Sequence, residues 1–256
     1  MQTRVMEIAA VPSGPVPVPA IVEHLAGGDT ITPVWRNTLG GLTFRLSSGA
    51  SGRFVKWMPT GTPTVDAEVA RLGWAGSFVR VPRVVDSGDD STGSWMLTAP
   101  LPGVSAVDAR FVTNDAASRV AARAIGAGLR ELHDRLPVQG CPYSWSATGR
   151  IARARAAGLD LPVALDAAPP VDRLVVCHGD ACAPNTLVAD DGSFAGHVDL
   201  GSLGVADRWA DLAVATWSLE WNYDGGKRLE SELLEAYGIA RDEERLTYYR
   251  ALWAAT

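Results

Sequence analysis

The sequence predicts an α+β protein in two lobes, the first rich in strands and the second mainly helical, and three patterns carry that prediction. Between residues 31 and 98, short apolar runs alternate with turn-forming Gly and Ser. A cluster of breakers, Pro100-Leu101-Pro102-Gly103, follows. Beyond it lie long Ala- and Leu-rich segments of helical period, with only a few short apolar runs between them. The predicted division is residues 1–99 and residues 100–256.

In chain order, Ile31 to Trp35, Thr43 to Leu46 and Arg53 to Met58 read as strands, joined by turns at Thr38 to Leu42 and Ser47 to Gly52. Thr62 to Gly73 reads as a helix, with Val65, Val69 and Leu72 at helical spacing and Pro63 in its first turn. Val84 to Asp86 and Ser94 to Thr98 are two more strands, around a turn at Ser87 to Gly93. After the breaker cluster, Asp115 to His133 is a long helix whose buried stripe includes Val120, Ala124, Ala127 and Leu132. Leu174 to Cys177, Leu187 to Ala189 and Gly196 to Leu200 are short buried strands. Asp207 to Leu219, Leu229 to Tyr237 and Glu243 to Trp253 are helices.

The composition narrows the partners. With 256 residues, 47% hydrophobic and 20% charged, the chain is composed like an ordinary globular protein with room for a substantial core. Its charge is uneven: residues 190–256 carry thirteen acids against six bases, a net of −7. That excess argues against nucleic acid and suits a cationic small molecule, although a solvated helical surface carries the same signature. Cys141, Cys177 and Cys182 form no CxxC pair and no metal-ligand spacing, so a reducing cytoplasm is expected. The apolar stretch from Ala9 to Ala20 is broken by Pro12, Pro15, Pro17 and Pro19, which fits neither a signal peptide nor a membrane span.

The chemistry concentrates in His178-Gly179-Asp180-Ala181-Cys182-Ala183-Pro184-Asn185 and in Asp199-Leu200-Gly201. A kinase catalytic loop places an Asp to receive the substrate hydroxyl proton and, after four intervening residues, an Asn to hold Mg²⁺. A second Asp, followed by an apolar residue and Gly, holds the metal against the phosphates. Asp180, Asn185 and Asp199 occur in that order and at usable spacing, so the two-lobed layout becomes a protein-kinase-like one. No GxxxxGK[ST] and no GxGxxG after a strand is present, so nucleotide binding needs other residues. The turn containing Gly40 and Gly41 is one candidate for lying over the phosphates, although such turns are commonly plain hairpins. Lys56, in the apolar run Phe54 to Met58, needs a partner or a ligand, and Glu68 on the next helix is placed to orient it against phosphates.

Other readings of the same residues are bland or rival. The two His-x-Asp units, His178/Asp180 and His197/Asp199, also suit a hydrolase metal centre, but that reading leaves Asn185, Lys56 and Glu68 unexplained. Lys56 read as an outward-facing strand lysine has no link to the later motif. Cys177 and Cys182 lack a base partner and read as buried thiols. Trp209, Trp217, Trp221 and Trp253 read mostly as core, with one or two available to wall a ligand pocket.

Val176 to Asp180 with Pro184-Asn185, then Val198-Asp199-Leu200-Gly201-Ser202-Leu203-Gly204-Val205-Ala206-Asp207-Arg208, closely resembles the aminoglycoside phosphotransferases, especially the 3′-phosphotransferase (kanamycin kinase) branch. The resemblance extends from about Thr38 over most of the chain. It implies a two-lobed kinase-like enzyme that uses ATP or GTP with Mg²⁺ to phosphorylate a hydroxyl of a small, cationic antibiotic. It implies Asp180 as the catalytic base, Asn185 and Asp199 as metal ligands, and Lys56 with Glu68 as the phosphate clamp. It also implies Thr98, Ala99 and Leu101 as the segment that pairs with the adenine. Four departures bear on the substrate. Ser202 stands where relatives commonly carry Arg, and Ser218 where they carry an acid. The region from Cys141 to His178 is shorter, and the chain ends Leu252-Trp253-Ala254-Ala255-Thr256 rather than on an acid and two Phe. Asp160, Glu220, Asp224 and Glu230 remain as carboxylates for a polycation. Two further readings are a kinase of this fold acting on another small hydroxylated metabolite or antibiotic, and a nucleotide-binding regulator without turnover.

Overall fold

The computed structural model describes residues 11–48 and 51–256, without the side chain of Ser51. Part of the turn expected at Ser47 to Gly52, and Ala9 and Ala10 of the N-terminal apolar stretch, lie outside these residues. The chain divides into two compact units. One holds the chain up to Trp74 together with Pro82–Pro100; the other holds Ala75–Val81 and Leu101–Thr256.

In the first unit a short helix, α1 (Ala20–Ala26), precedes the strands β1 (Thr30–Arg36), β2 (Leu42–Ser48) and β3 (Ser51–Pro59). A helix, α2 (Asp66–Ala75), and the hairpin β4 (Val84–Asp90) and β5 (Gly93–Thr98) follow. The five strands form an antiparallel sheet in the order β1-β2-β3-β5-β4. Side chains alternate across a strand, so Val55 and Trp57 of β3 share one face. On that face Val22 and Ala26 of α1 close a core with Leu42, Phe44, Leu46, Trp95 and Leu97. Lys56 points to the other face.

Several expectations shift here. The helix α1 was not anticipated, because four prolines mark its approach as loop; Pro19 instead stands at its N-cap, and Gly27 ends it at φ 55°. The helix expected from Thr62 begins at Asp66, because Pro63 and Thr64 form its lead and the Val65 amide donates to Ser94 Oγ at 3.1 Å. The turn expected from Ser87 is tighter: β4 runs to Asp90, whose carboxylate accepts from the amides of Thr92 and Gly93 at 2.7 and 3.2 Å.

The second unit is mainly helical. After β6 (Val104–Ser105) and α3 (Ala109–Val112) comes the long α4 (Asp115–Arg135), capped by Asn114 Oδ1 accepting from the Ala117 amide at 2.9 Å. Next come α5 (Ala147–Ala156), β7 (Leu174–Cys177), β8 (Thr186–Val188), β9 (Phe194–His197) and β10 (Gly204–Asp207). The chain closes with α6 (Trp209–Asn222), α7 (Glu230–Tyr237) and α8 (Glu243–Ala255). The strands make two small sheets, β10-β7 and β6-β8-β9. No helix among the described residues is long and apolar enough to cross a membrane.

The buried face of α4 differs from the expected stripe. Ala124 and Leu132 are buried, but Val120 and Ala127 are exposed, and the covered face runs through Ala121, Ile125, Leu129 and His133. An alanine-rich helix offers little contrast between faces, so volume and neighbours choose the side. The strand expected at Gly196 to Leu200 stops at His197, because the chain turns at Asp199. β10 and α5 were not expected, since a four-residue strand opened by Gly and an Arg-rich helix carry weak patterns.

The α4–α7 contact depends on Gly126, where an added Cβ would stand 2.2 Å from the Leu233 carbonyl oxygen. Gly126→Ala is expected to destabilise the protein by about 1–3 kcal/mol despite the better helix propensity of Ala, read as a lower urea midpoint.

Candidate active site

β7 delivers the chain into the loop from His178 to Cys182, a short 3-10 turn at Ala183–Asn185 follows, and β8 leads it away. Beyond the end of β7, the backbone N–H groups of His178 and Gly179 have no strand to receive them. Asp211, from the first turn of α6, takes both: its carboxylate accepts from the His178 amide at 2.6 Å and the Gly179 amide at 2.9 Å. A third hydrogen bond joins Asp211 to His133 Nε2 of α4 at 3.0 Å, and His133 Nδ1 meets the Tyr237 hydroxyl at 2.9 Å. Asp211 is wholly buried. Burial opposes its ionisation, but the hydrogen bond and charge of His133 and the Gly179 amide outweigh it and hold the carboxyl below the usual range.

Gly179 has φ 88°, and an added Cβ would stand 2.2 Å from the Ser202 carbonyl oxygen. The catalytic loop therefore lies directly on the turn that carries Asp199. His178 joins the same two segments: its Nε2–H donates to the Val198 carbonyl at 3.0 Å, and its Nδ1 accepts from the Asp180 amide at 3.3 Å. The Val198 amide donates back to the Asn185 carbonyl at 3.0 Å. Both ring nitrogens of His178 are thus committed to backbone, and the ring of His197, 5.3 Å away, is buried with a pKa pushed down to about 3 by burial and then by His178. With both nitrogens of His178 engaged, the paired His-x-Asp reading lacks one of its two imidazole ligands.

Asp180, Asn185 and Asp199 come together. Asn185 Nδ2 donates to the Asp180 carbonyl at 2.9 Å and to Asp180 Oδ2 at 3.3 Å, while Cys182 Sγ donates to Asp180 Oδ1 at 3.1 Å. Burial, and then the negative charge of Asp199, hold the Asp180 carboxyl above its ordinary range. Burial and the charge of Asp180 push the Cys182 thiol up, so it remains a donor and not a nucleophile. Asp199 is the one non-glycine among the described residues with positive φ, at 61°. A residue held in that sparsely populated conformation is a mark of a functional turn. With the Asn185 amide nitrogen tied to Asp180, Asn185 and Asp199 have side-chain oxygens to offer a cation, and oxygen donors suit Mg²⁺.

In the first unit, Lys56 Nζ lies 2.7 Å from Glu68 Oε2, with both side chains largely buried. β3 turns Lys56 to the sheet face opposite α1, and α2 brings Glu68 to meet it. The Gly40-Gly41 turn has a different use from the one expected. Asn37 Oδ1 accepts from the Leu39 and Gly41 amides at 3.0 and 2.7 Å, and the Gly40 amide donates to the Asn37 carbonyl at 3.1 Å. Those N–H groups are spent closing the turn, so as folded it does not offer them to phosphates. Thr98 is buried in β5 opposite Phe54 and Val84, and the Ala99 amide donates to the Arg83 carbonyl at 2.9 Å. Leu101 is half-buried and opens the second unit.

The four carboxylates considered for a polycation do not form a cluster. Glu230 is buried, with one oxygen 2.7 Å from Arg250 and the other held by Arg241, so it has no charge to offer a ligand. Glu220 faces the same Arg250 at 3.7 Å. Asp160 lies exposed after α5, and Asp224 exposed after α6. A concavity of about 620 Å³ beside Glu230, lined also by Lys227, Ser231, Leu234, Gly238 and Arg241, contains none of the catalytic-loop residues.

Two site residues escaped the sequence reading. Asp211 had a legible signal, an acid inside the apolar run Trp209 to Ala215, where an ionised group requires partners. Ser218 was read only as a departure bearing on the substrate, and its structural role had no signal; its Oγ, wholly buried, accepts from the Ala183 amide at 2.9 Å and so fixes the far side of the loop to α6. His133, Cys177 and Asp211 place their donor atoms within 4.8 Å of one another. Each is already engaged, Cys177 Sγ with the Asp207 carbonyl at 3.4 Å, so this is a hydrogen-bonded core.

A family model described as a phosphotransferase enzyme family matches residues 30–249. The chain is 36% identical over 219 residues to an aminoglycoside 3′-phosphotransferase of Streptomyces fradiae, covering 73% of this chain and 78% of that one. It is 32% identical over 257 residues to streptomycin 3″-kinase of Streptomyces griseus, covering 87% and 90%. A solved structure of an aminoglycoside phosphotransferase from Streptomyces rimosus, in complex with ADP and streptomycin, is similar at a TM-score of 0.68 and 28% identity, covering 90% of this chain and 94% of that one.

Asp211→Ala is expected to cost about 3–5 kcal/mol, because it strands buried donors on His178, Gly179 and His133. Asp211→Asn, which keeps an acceptor, should cost less. As the folded pKa is lowered, the ionised Asp211 contributes fully above the unfolded value of about 3.9 and less as pH falls through the folded one. Chemical denaturation at pH 7 and pH 3 should therefore show a smaller penalty for Asp211→Ala at the lower pH.

Proposed function

The chain belongs to the phosphotransferase enzyme family, and we propose that it transfers the terminal phosphoryl group of ATP or GTP to a hydroxyl of an aminoglycoside. The observation that carries this reading is the arrangement at Asp180. Its carboxylate is fixed on both oxygens, by Cys182 and Asn185, and lies close enough to Asp199 for that charge to raise its pKa. A carboxylate held so is ready to orient an acceptor hydroxyl and take its proton.

The other roles follow from the same reading. Asn185 and Asp199 would hold Mg²⁺, which when bound draws negative charge off the phosphates. Lys56, steadied by Glu68 at 2.7 Å, neutralises phosphate oxygens. Residues 1–99 would carry the nucleotide, with Thr98 and Ala99, and Leu101 just beyond them, along the adenine edge, and residues 100–256 would carry catalysis and the acceptor. The relatives support the substrate class, since the Streptomyces fradiae and Streptomyces griseus proteins are named for aminoglycosides and streptomycin.

Asp180→Ala is expected to lower kcat by about 10²–10⁴-fold with nucleotide affinity kept, measured by ADP release and calorimetry. Wild-type turnover in that variant would remove Asp180 from the mechanism. Asp199→Ala should instead weaken binding of the Mg²⁺-nucleotide itself, and unchanged affinity would argue against its metal role. Expression in a susceptible host should confer resistance to kanamycin, neomycin or streptomycin. Protection against none of them, with another phosphorylated acceptor found in a substrate screen, would move the activity to a different hydroxylated molecule. Absence of ADP release with every acceptor would leave only a nucleotide-binding regulator.

A further inference from the structure

We infer that the acceptor is held in part by stacking the apolar face of one of its rings on Trp221, part of a tryptophan surface beside the catalytic loop; the inference rests on the phosphotransferase reading above. Trp217 and Trp221 stand four residues apart on α6 and therefore on one face. The neighbouring face of α6, with Ser218 and Asn222, is the one that meets the loop. Ser218 Oγ accepts from the Ala183 amide at 2.9 Å and from Asn222 Nδ2 at 3.0 Å. Trp221, three residues from Ser218, lies one helical turn from that contact.

Trp253, from the last turn of α8, completes the surface. The ring centroids are 4.8 Å apart for Trp217 and Trp221, 5.4 Å for Trp221 and Trp253, and 6.1 Å for Trp217 and Trp253. Rings packed on one another at these distances leave no gap for an ammonium group to enter between them, as an aromatic cage requires. What they present is an outer face, and Trp221 is 47% exposed. A large aromatic ring held from behind by two others loses little conformational freedom when a ligand settles on it.

The charges around it favour a ring face over an ammonium group as the thing gripped. Glu220 of α6 and Glu230 at the start of α7 both face Arg250 of α8, and Glu230 is also held by Arg241. Arg250 further donates to Thr216 Oγ1 at 3.0 Å, so it is locked under α6. Glu220 and Glu230 are thus answered within the fold, Asp224 stays exposed beyond the end of α6, and the outer face of Trp221 is open beside them. Stacking on it would orient the acceptor over the loop without contributing to the chemistry.

The test is steady-state ADP release with kanamycin and with streptomycin as acceptors, at 50 and 500 mM KCl, for wild type, Trp221→Ala and Trp221→Phe. The expected result with the acceptor that turns over is a rise of about tenfold in its KM for Trp221→Ala, with kcat little changed. Trp221→Phe should keep most of the affinity. The rise should persist at high salt, because stacking is not screened. A KM unmoved in a folded Trp221→Ala, its thermal midpoint matching wild type, would overturn the stacking site alone. A rise that disappears at 500 mM KCl would overturn it also, as a charge effect. No turnover by wild type with either acceptor would overturn the assigned substrate class, and the stacking site with it.

Discussion

A single buried carboxylate, Asp211, stands between the apolar core of the second unit and the loop that carries Asp180. The strand β7 ends at Cys177, and the next two amides point into the protein, where water cannot reach them. An unsatisfied buried amide costs about 1–3 kcal/mol, so two of them would be enough to release the loop. Asp211 satisfies both and is in turn held by His133, which Tyr237 holds. Helices α4, α6 and α7 thereby meet at the base of the catalytic loop. Ser218 repeats the device about two turns further along α6, at the Ala183 amide. The loop is strapped to one helix at both ends.

That strapping leaves Asp180 buried and close to Asp199, and burial first, then the charge of Asp199, hold its carboxyl above the ordinary range. Elsewhere the second unit does the opposite, and answers acids with arginines. Glu232 pairs with Arg119 and Arg123, Glu230 with Arg241 and Arg250, and Asp242 with Arg245. Three acids of residues 190–256, Glu220, Glu230 and Glu232, are thus engaged in ion pairs between helices. Read from composition the acidic excess suggests an attraction for cations; read from geometry, these three acids tie α4 to α7 and α8 to α6 and α7.

Legibility in the sequence followed the range of the interaction involved. The strands β1, β2, β3 and β5 and the helices α4, α6, α7 and α8 were readable because alternation and helical period are local. Asp180, Asn185 and Asp199 were readable because their chemistry demands a fixed short spacing. The pair of Lys56 and Glu68 was readable because a lysine in an apolar strand requires a partner, and one helix followed. By contrast, α1 hid behind its prolines, and the stripe on α4 was misplaced at Val120 and Ala127 because alanine on every side gives no contrast. Gly40 and Gly41 were assigned to phosphate when their amides were already committed to Asn37.

Residue type and spacing alone determined the class of chemistry, phosphoryl transfer to a hydroxyl, together with a lysine–glutamate pair and a change from strands to helices. Which residues support that chemistry was settled only by folding, because support comes from groups distant in sequence. Asp211 reaches His178 across 33 residues, Ser218 reaches Ala183 across 35, and Arg250 reaches Glu230 across 20. The same applies to the acceptor. Four carboxylates and several tryptophans are equally visible as letters, but only the packing of α6 against α8 determines which remain exposed. It ties Glu220 and Glu230 to Arg250 and leaves Trp221 facing outward.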